Sequence, residues 1–126
     1  GTLALAARVA GAGRAFGFDL DLEAPFASRL NARRNGVDGA GFWGGLLESL
    51  SPSARFDLVV ANMLQEEVGP LLPTLARLLP PGGILVTAGQ LVAREDEFLG
   101  LLAAARLRPR ALASEGEWLG TLSAKA

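Results

Sequence analysis

Apolar residues in this chain fall into short runs whose spacing alternates between strand-like and helix-like. Residues 56–61, reading Phe56-Asp-Leu-Val-Val-Ala61, form an apolar, β-branched run of the kind that fills the middle of a parallel sheet with both faces covered. The run stops at the polar Asn62, where the strand should end. Residues 84–88 predict a second buried strand, and residues 15–19 a short one closing on Asp19. Residues 2–12 have helix-forming composition and stop at Gly11-Ala-Gly13. Residues 22–35 read as another helix, with Asp21 as candidate N-cap, Glu23 in the first turn and Asn35-Gly36 as the stop. Leu71, Leu72, Leu75, Leu78 and Leu79 lie at helical spacing and predict a helix over 68–79, halted by Pro80-Pro-Gly-Gly83.

The remaining segments complete the alternation. A glycine-rich stretch at 37–45, centred on Phe42-Trp43, predicts a short strand, and 46–53 a connector with at most one helical turn. A helix is expected over 95–105, followed by strands at 109–114 and 117–124 around Glu115-Gly116. A turn that short forces an antiparallel pair, because a parallel crossover needs a dozen residues or more. The expected architecture is therefore a single α/β domain over 1–126, its sheet mostly parallel with one antiparallel strand near the C-terminal edge and helices on both faces.

Composition narrows the chemistry. The chain has 126 residues, half of them apolar and a fifth charged, enough for a real core and too apolar for disorder. Lys+Arg 12 against Asp+Glu 13 gives a net charge of -1, so direct nucleic-acid binding is not expected. With no cysteine, histidine or tyrosine, this stretch holds no disulfide, thiolate metal site or His-based triad. No metal site is expected. The apolar start, residues 1–12, is too short to span a bilayer and lacks the basic opening of a signal peptide, so a cytoplasmic protein without a membrane partner is the expectation.

Three residues stand where this architecture places ligands, at the carboxyl ends of strands or the start of a helix. Asp19 ends the first strand, where a carboxylate can accept both hydroxyls of a ribose; equally, Asp19, Asp21 and Glu23 can form an acidic cap on the next helix. Asn62 offers an uncharged amide with donors and acceptors for a neutral or cationic reacting group. Gly1 precedes a helix, as the last glycine of a nucleoside-binding loop would.

In order, Gly1-Thr-Leu-Ala-Leu-Ala-Ala7, Gly17-Phe-Asp-Leu-Asp21, Asn31-Ala-Arg-Arg-Asn-Gly-Val37, Phe56-Asp-Leu-Val-Val-Ala-Asn62 and Pro80-Pro-Gly-Gly-Ile-Leu-Val86 resemble class I S-adenosylmethionine-dependent methyltransferases. With Glu115-Gly-Glu-Trp118, the set is similar to the C-terminal catalytic domain of the methyltransferases acting on large-subunit ribosomal protein eleven. The resemblance implies a Rossmann-like sheet, S-adenosylmethionine as cofactor, a ribosomal protein as partner and methylation of lysine or N-terminal amines. It implies that Asp19 binds the ribose, Leu20 packs near the adenine, Gly1 lies beside the methionine part of the cofactor, and Asn62 lies beside the reactive methyl and the incoming amine. Trp43, Gly45 and Leu46 depart from the polar pattern that usually receives the adenine amine. In such a fold a first strand and its glycine-rich loop precede the position of Gly1, between the strands ending at Asp19 and Asn62. A fragment, a truncated gene product or a chain with residues before Gly1 is therefore expected, and without that strand two sheet edges would lie open.

Two readings compete with an active methyltransferase: a non-catalytic remnant that keeps the sheet, and a nicotinamide-dependent oxidoreductase in which Asp19 also suits a ribose. Other prominent residues have ordinary explanations. Isolated Trp43 and Trp118 are more often core or edge packing than stacking platforms, and Arg29, Arg33 and Arg34 more often a solvated helix face than a contact with RNA or an acidic partner. Glu66-Glu67 fits a first-turn acidic pair favoured by the helix dipole better than a base for an amine.

Overall fold

The computed structural model describes residues 1–19 and 21–126. They divide into two compact units, Gly1–Ser51 and Pro52–Ala126.

In the first unit, α1 (Thr2–Val9), β1 (Ala15–Asp19), α2 (Ala24–Arg34) and β2 (Ala40–Gly44) follow in chain order. β1 and β2 pair in parallel, with Ala15 opposite Ala40 and Asp19 opposite Gly44. Strand alternation puts Ala15 and Phe42 on the face that α1 and α2 cover through Ala4 and Ala32, a small-residue core that draws both helices close to the sheet. Phe18 and Trp43 stack on each other at 5.8 Å, and Phe16 meets Trp43 edge-on at 6.1 Å, so Trp43 is a packing residue. The N-terminus of α2 departs from the expectation. The helix starts at Ala24, with Pro25 in its first turn, and Asp21 lies outside it. The Asp21 carboxylate instead accepts the backbone N–H of Glu23 in a turn that leads into the helix (2.9 Å). Arg29 is exposed, as on a solvated face, and its guanidinium also donates to the Phe42 carbonyl and ties α2 to β2.

The second unit holds β3 (Leu58–Asn62), α3 (Gln65–Val68), α4 (Leu72–Arg77), β4 (Ile84–Leu91), α5 (Glu95–Ala104), β5 (Leu107–Glu115) and β6 (Trp118–Lys125). The sheet order is β3-β4-β6-β5. β3 and β4 are parallel, and β6 is antiparallel to both of its neighbours, so the reversed strand lies one place in from the edge. Leu85, Thr87, Leu119, Thr121 and Ser123 alternate onto one buried face, with Phe98, Leu102, Leu72 and Leu75 of the helices buried as well.

The single helix expected over 68–79 is broken. α3 ends at Val68, a 3-10 turn covers Gly69–Leu71, and α4 begins at Leu72. Pro70 and Pro73 lack the N–H that a continuous helix would use, and each sits where a helical stretch restarts. The strand read as covered on both faces is also corrected. β3 is an edge strand of this sheet among the described residues, and Leu58 and Val60 on one face are 51% and 41% exposed, while Ala61 on the other is buried. Periodicity recorded the apolar run but not which of its faces another element covers.

The backbone after β3 is set by β4. The β4–β6 ladder slips between Ala88 and Gln90, leaving Gly89 as a bulge with φ +99°. A Cβ at Gly89 would stand 2.6 Å from the Met63 carbonyl oxygen, so only glycine lets the two segments approach this closely. Beside it Gln90, fully buried, donates through Nε2 to that same Met63 carbonyl (2.8 Å), and Met63 N–H donates to Ala88 O (3.0 Å). The bulge and the buried amide together hold the residue after Asn62 at both of its backbone polar groups.

Gly89→Ala should destabilise the protein by about 1–3 kcal/mol, because a side chain meets both an unfavourable φ and the Met63 carbonyl. Gln90→Leu should cost about 1–3 kcal/mol by leaving the partly buried Met63 carbonyl without its donor. Urea unfolding measures both; Gly89→Ala with unchanged stability would show that the bulge tolerates a Cβ.

Candidate functional site

Asp19 is exposed at the carboxyl end of β1. Its Oδ1 accepts the Asp21 N–H (3.0 Å), its backbone carbonyl accepts the Gly45 N–H (2.9 Å), and Asp21 repeats the carboxylate motif on Glu23. The local bonds thus realise the turn part of the acidic-cap reading, although the carboxylates brace the approach to α2 rather than capping it directly. They also fix the Asp19 side chain in one orientation while it stays at the surface, as a carboxylate that receives a diol must be. Gly44, opposite Asp19, supplies a requirement the sequence alone did not signal: a Cβ there would fall 2.9 Å from the Leu22 Cα. The Asp21-Leu22 turn passes directly over Gly44, and that crossing shapes the loop that follows Asp19.

Gly1 is the N-cap of α1, and its carbonyl accepts the Leu5 N–H. A Cβ at Gly1 would collide with the Ser28 hydroxyl at 2.3 Å, so glycine is needed there for packing against α2 whatever else it does. Leu20 lies outside the described residues.

Asn62, in the second unit, is exposed at the carboxyl end of β3, in register with Ala88. Its backbone position is inherited from the Gln90 and Gly89 contacts to Met63, and neither residue stands out in the sequence except as a glycine and a polar residue in an apolar strand. Past Met63, Glu67 reaches back to the Leu64 N–H (3.0 Å), closing the first turn of α3. Glu66 pairs with Arg94, which also forks onto Glu97 at 3.1 Å through two nitrogens. Glu66 is held below the usual carboxylate range, first by a backbone N–H and then by Arg94; Glu97 is lowered chiefly by its bond to Arg94. Arg94 is held protonated by the two carboxylates. Glu66 and Glu67 are thus both engaged in structure, and the lowered Glu66 is poorly suited to take a proton from an amine.

A shallow cleft of about 60 Å³ opens beside this cluster, walled by Leu64, Gln65, Glu66, Gly89, Leu91, Arg94 and Trp118. Trp118 is 46% exposed and is no core residue; it stands opposite Leu91 across the ladder. Gln65 is 5% exposed, and neither atom of its side-chain amide completes a hydrogen bond, although the amide lies close enough to Glu97 to help keep that carboxylate ionised. A buried amide without partners costs about 1–3 kcal/mol. Among the described residues no group of three His, Cys, Asp or Glu could hold a metal ion, and no helix is long and apolar enough to cross a membrane.

Known proteins resemble this chain in sequence and in fold. The chain is 40% identical over 119 residues to a ribosomal protein L11 methyltransferase of Thermus thermophilus, covering 94% of this chain and 46% of the relative. It is 46% identical over 97 residues to one of Azotobacter vinelandii, covering 77% of this chain and 33% of that protein. The chain therefore spans less than half the length of these curated relatives. The crystal structure of a ribosomal protein L11 methylase from Lactobacillus delbrueckii subsp. bulgaricus superposes with a TM-score of 0.90 at 28% identity, over 99% of this chain and 65% of that one. An RNA methyltransferase from Salinibacter ruber, solved with S-adenosyl-L-homocysteine, superposes at 0.74 with 23% identity over 99% of this chain and 74% of that one, which speaks for the fold alone. The fold is that of the Rossmann-like S-adenosylmethionine-dependent methyltransferases. A model of the family described as Ribosomal protein L11 methyltransferase (PrmA) matches residues 1–126, and the chain belongs to that family.

Proposed function

We propose that residues 1–126 are part of one catalytic domain that binds S-adenosylmethionine and transfers its methyl group to an amine of a large-subunit ribosomal protein, on a lysine side chain or an N-terminus. The reading is supported above all by the exposed Asn62 amide on a backbone clamped by Gln90 and Gly89, within a chain matched along its length by the L11 methyltransferase family. A cytoplasmic location accords with such a substrate.

The residues present fit the cofactor at the ribose. Asp19 keeps an exposed carboxylate whose orientation is fixed by the Asp21 N–H, suited to accept two hydroxyls. Gly1 would adjoin the methionine part and Leu20 the adenine. Trp43, Gly45 and Leu46 offer no side-chain acceptor to the adenine amine, so recognition there would fall to the backbone. When bound, S-adenosylmethionine supplies a methyl on a sulfonium with a good leaving group. The protein's task is then alignment of the amine lone pair with the methyl carbon and removal of water from it. The Asn62 carbonyl oxygen can accept an N–H of the incoming neutral amine, turning its lone pair toward the methyl. The thioether would leave as the methyl passes to the amine, and the methylated nitrogen would shed its extra proton to solvent. The chain's lack of histidine is no obstacle, because positioning carries this reaction.

In the protein that carries this chain, Asp19→Ala should weaken S-adenosylmethionine binding by about 1–3 kcal/mol, read by calorimetry. Undiminished affinity would remove Asp19 from the ribose site. Asn62→Ala should lower kcat for methylation of the ribosomal protein by about 100-fold while the heat of cofactor binding persists. Equal losses in both would instead make Asn62 a cofactor-binding residue, and no loss in either would sink its role.

A further inference from the structure

Charge in the second unit is sorted along its strands. β5 runs antiparallel to β6, and β6 antiparallel to β4, so β5 starts at the end of the sheet where β3 and β4 start. At the opposite end, where β3 and β4 finish, carboxylates dominate. Glu66 and Glu67 lie in α3, all of residues 95–97 open α5, and Glu115 and Glu117 lie about the β5–β6 turn, with Arg94 among them. Where the strands start, the balance is reversed. Arg106, Arg108 and Arg110 stand exposed just before β5 and along its first part. Arg55 and Arg77 both donate to the Pro52 carbonyl (3.0 and 3.1 Å), and Lys125 lies across the ladder from Leu107. Among the described residues Asp57 is the one acidic side chain at this end. The net charge of -1 averages over the two ends and conceals both.

Helix dipoles account for part of this sorting, because acids suit the start of a helix and bases its end. They explain residues 95–97 and Arg77, but not Arg108 and Arg110, which lie on a strand. Ion pairing does not explain those two either. Among the described residues no carboxylate pairs with Arg106, Arg108 or Arg110, whereas Arg8 and Arg94 both have acidic partners. Arg106 is also held at a cost. It follows the end of α5 with φ 60°, the only non-glycine residue of positive φ among those described, at a position that glycine usually takes after a helix. We propose that this basic end of the second unit binds the phosphate backbone of duplex RNA through Arg106, Arg108 and Arg110. A guanidinium fork matches phosphate oxygens in pairs, and three unpaired forks on one short segment repeat that geometry. Pro109 and Ala111, which flank Arg110, are exposed and offer no aromatic platform, so the contact is to backbone and not to stacked single-stranded bases. The same lack of an aromatic anchor argues against an acidic protein, whose interface needs a buried centre. RNA is thereby placed at the far end of the strands from Asn62, and its binding does not depend on the methyl-transfer reading.

The test is fluorescence anisotropy of a labelled RNA duplex of about 16 base pairs, titrated with the protein that carries this chain. The duplex should bind, and log K should fall against log salt with a slope of about −3, roughly one for each arginine. Arg108→Gln combined with Arg110→Gln should weaken binding about tenfold or more and flatten that slope by about two. The matching pair of lysine substitutions, which keeps the charge, should keep the slope. Arg106→Gly should weaken binding about threefold while the melting temperature holds or rises, because glycine takes this φ without strain. No binding at low salt, a glutamine pair or an Arg106→Gly variant that binds like the parent, or polyglutamate binding more tightly than the duplex overturns the proposal. The heat of S-adenosylmethionine binding, measured on the same variants, should not change, so a failed RNA titration leaves the methyltransferase reading where it stood.

Discussion

One carbonyl, that of Met63, governs the second unit's candidate site. It is received by the Nε2 of Gln90 at 2.8 Å, and its approach is possible only because residue 89 has no side chain. A strand that ends in a loop normally leaves its last polar groups to water, and the residue at its tip inherits the loop's mobility. Here the tip is pinned from the neighbouring strand. The bulge at Gly89 shifts β4 so that Gln90, a polar residue buried in a sheet, aims at the chain leaving β3. Leaving Oε1 of Gln90 and Oγ of Ser123 buried without partners is an energetic cost the structure carries. A buried amide in an apolar layer is destabilising unless it does something, and what it does here is hold the backbone beside Asn62.

The first unit solves a similar problem by removing side chains. Gly44 lies under the Asp21-Leu22 turn, and Asp19 accepts the Asp21 N–H within it. The carboxylate's direction is thereby set by the turn, and the turn's path is set by a glycine on the adjacent strand. In both units an exposed polar residue at a strand end is positioned by a neighbouring strand that offers no Cβ at the point of contact. Preorganisation of this kind is what a positioning catalyst needs, because an oriented side chain does not lose orientational freedom when its partner binds.

These arrangements were legible only in part. β1 matches its expected bounds, and the tight β5–β6 turn correctly forced an antiparallel pair, because local spacing and turn length decide both. Helix bounds moved where backbone chemistry outweighed composition: Pro25 and the Asp21 turn delayed α2, and Pro70 with Pro73 divided the leucine-rich helix. Asp19 and Asn62 were readable as strand-end residues because polarity interrupts an apolar run there. Gln90 and Gly89 were not, since their meaning depends on a segment 26 or 27 residues away that no local pattern connects to them. The surroundings of Trp118 were not legible for a related reason. An isolated aromatic in a strand says nothing about which side of the sheet is covered, and this one borders a cleft.

The acidic cluster on Arg94 then takes on a definite meaning. Exposed ion pairs contribute little to stability, and this one is at the surface. Its charges nonetheless remove Glu66 from consideration as a base, because a carboxylate held ionised by an arginine and a backbone N–H is a poor proton acceptor. Methyl transfer needs the amine neutral only at the moment of attack, and that state is reached by desolvating the nitrogen as readily as by a base. Nothing in the second unit then has to take a proton. On the proposed reading Asn62 would orient the nitrogen, and the clamp on Met63 would keep Asn62 in place for it.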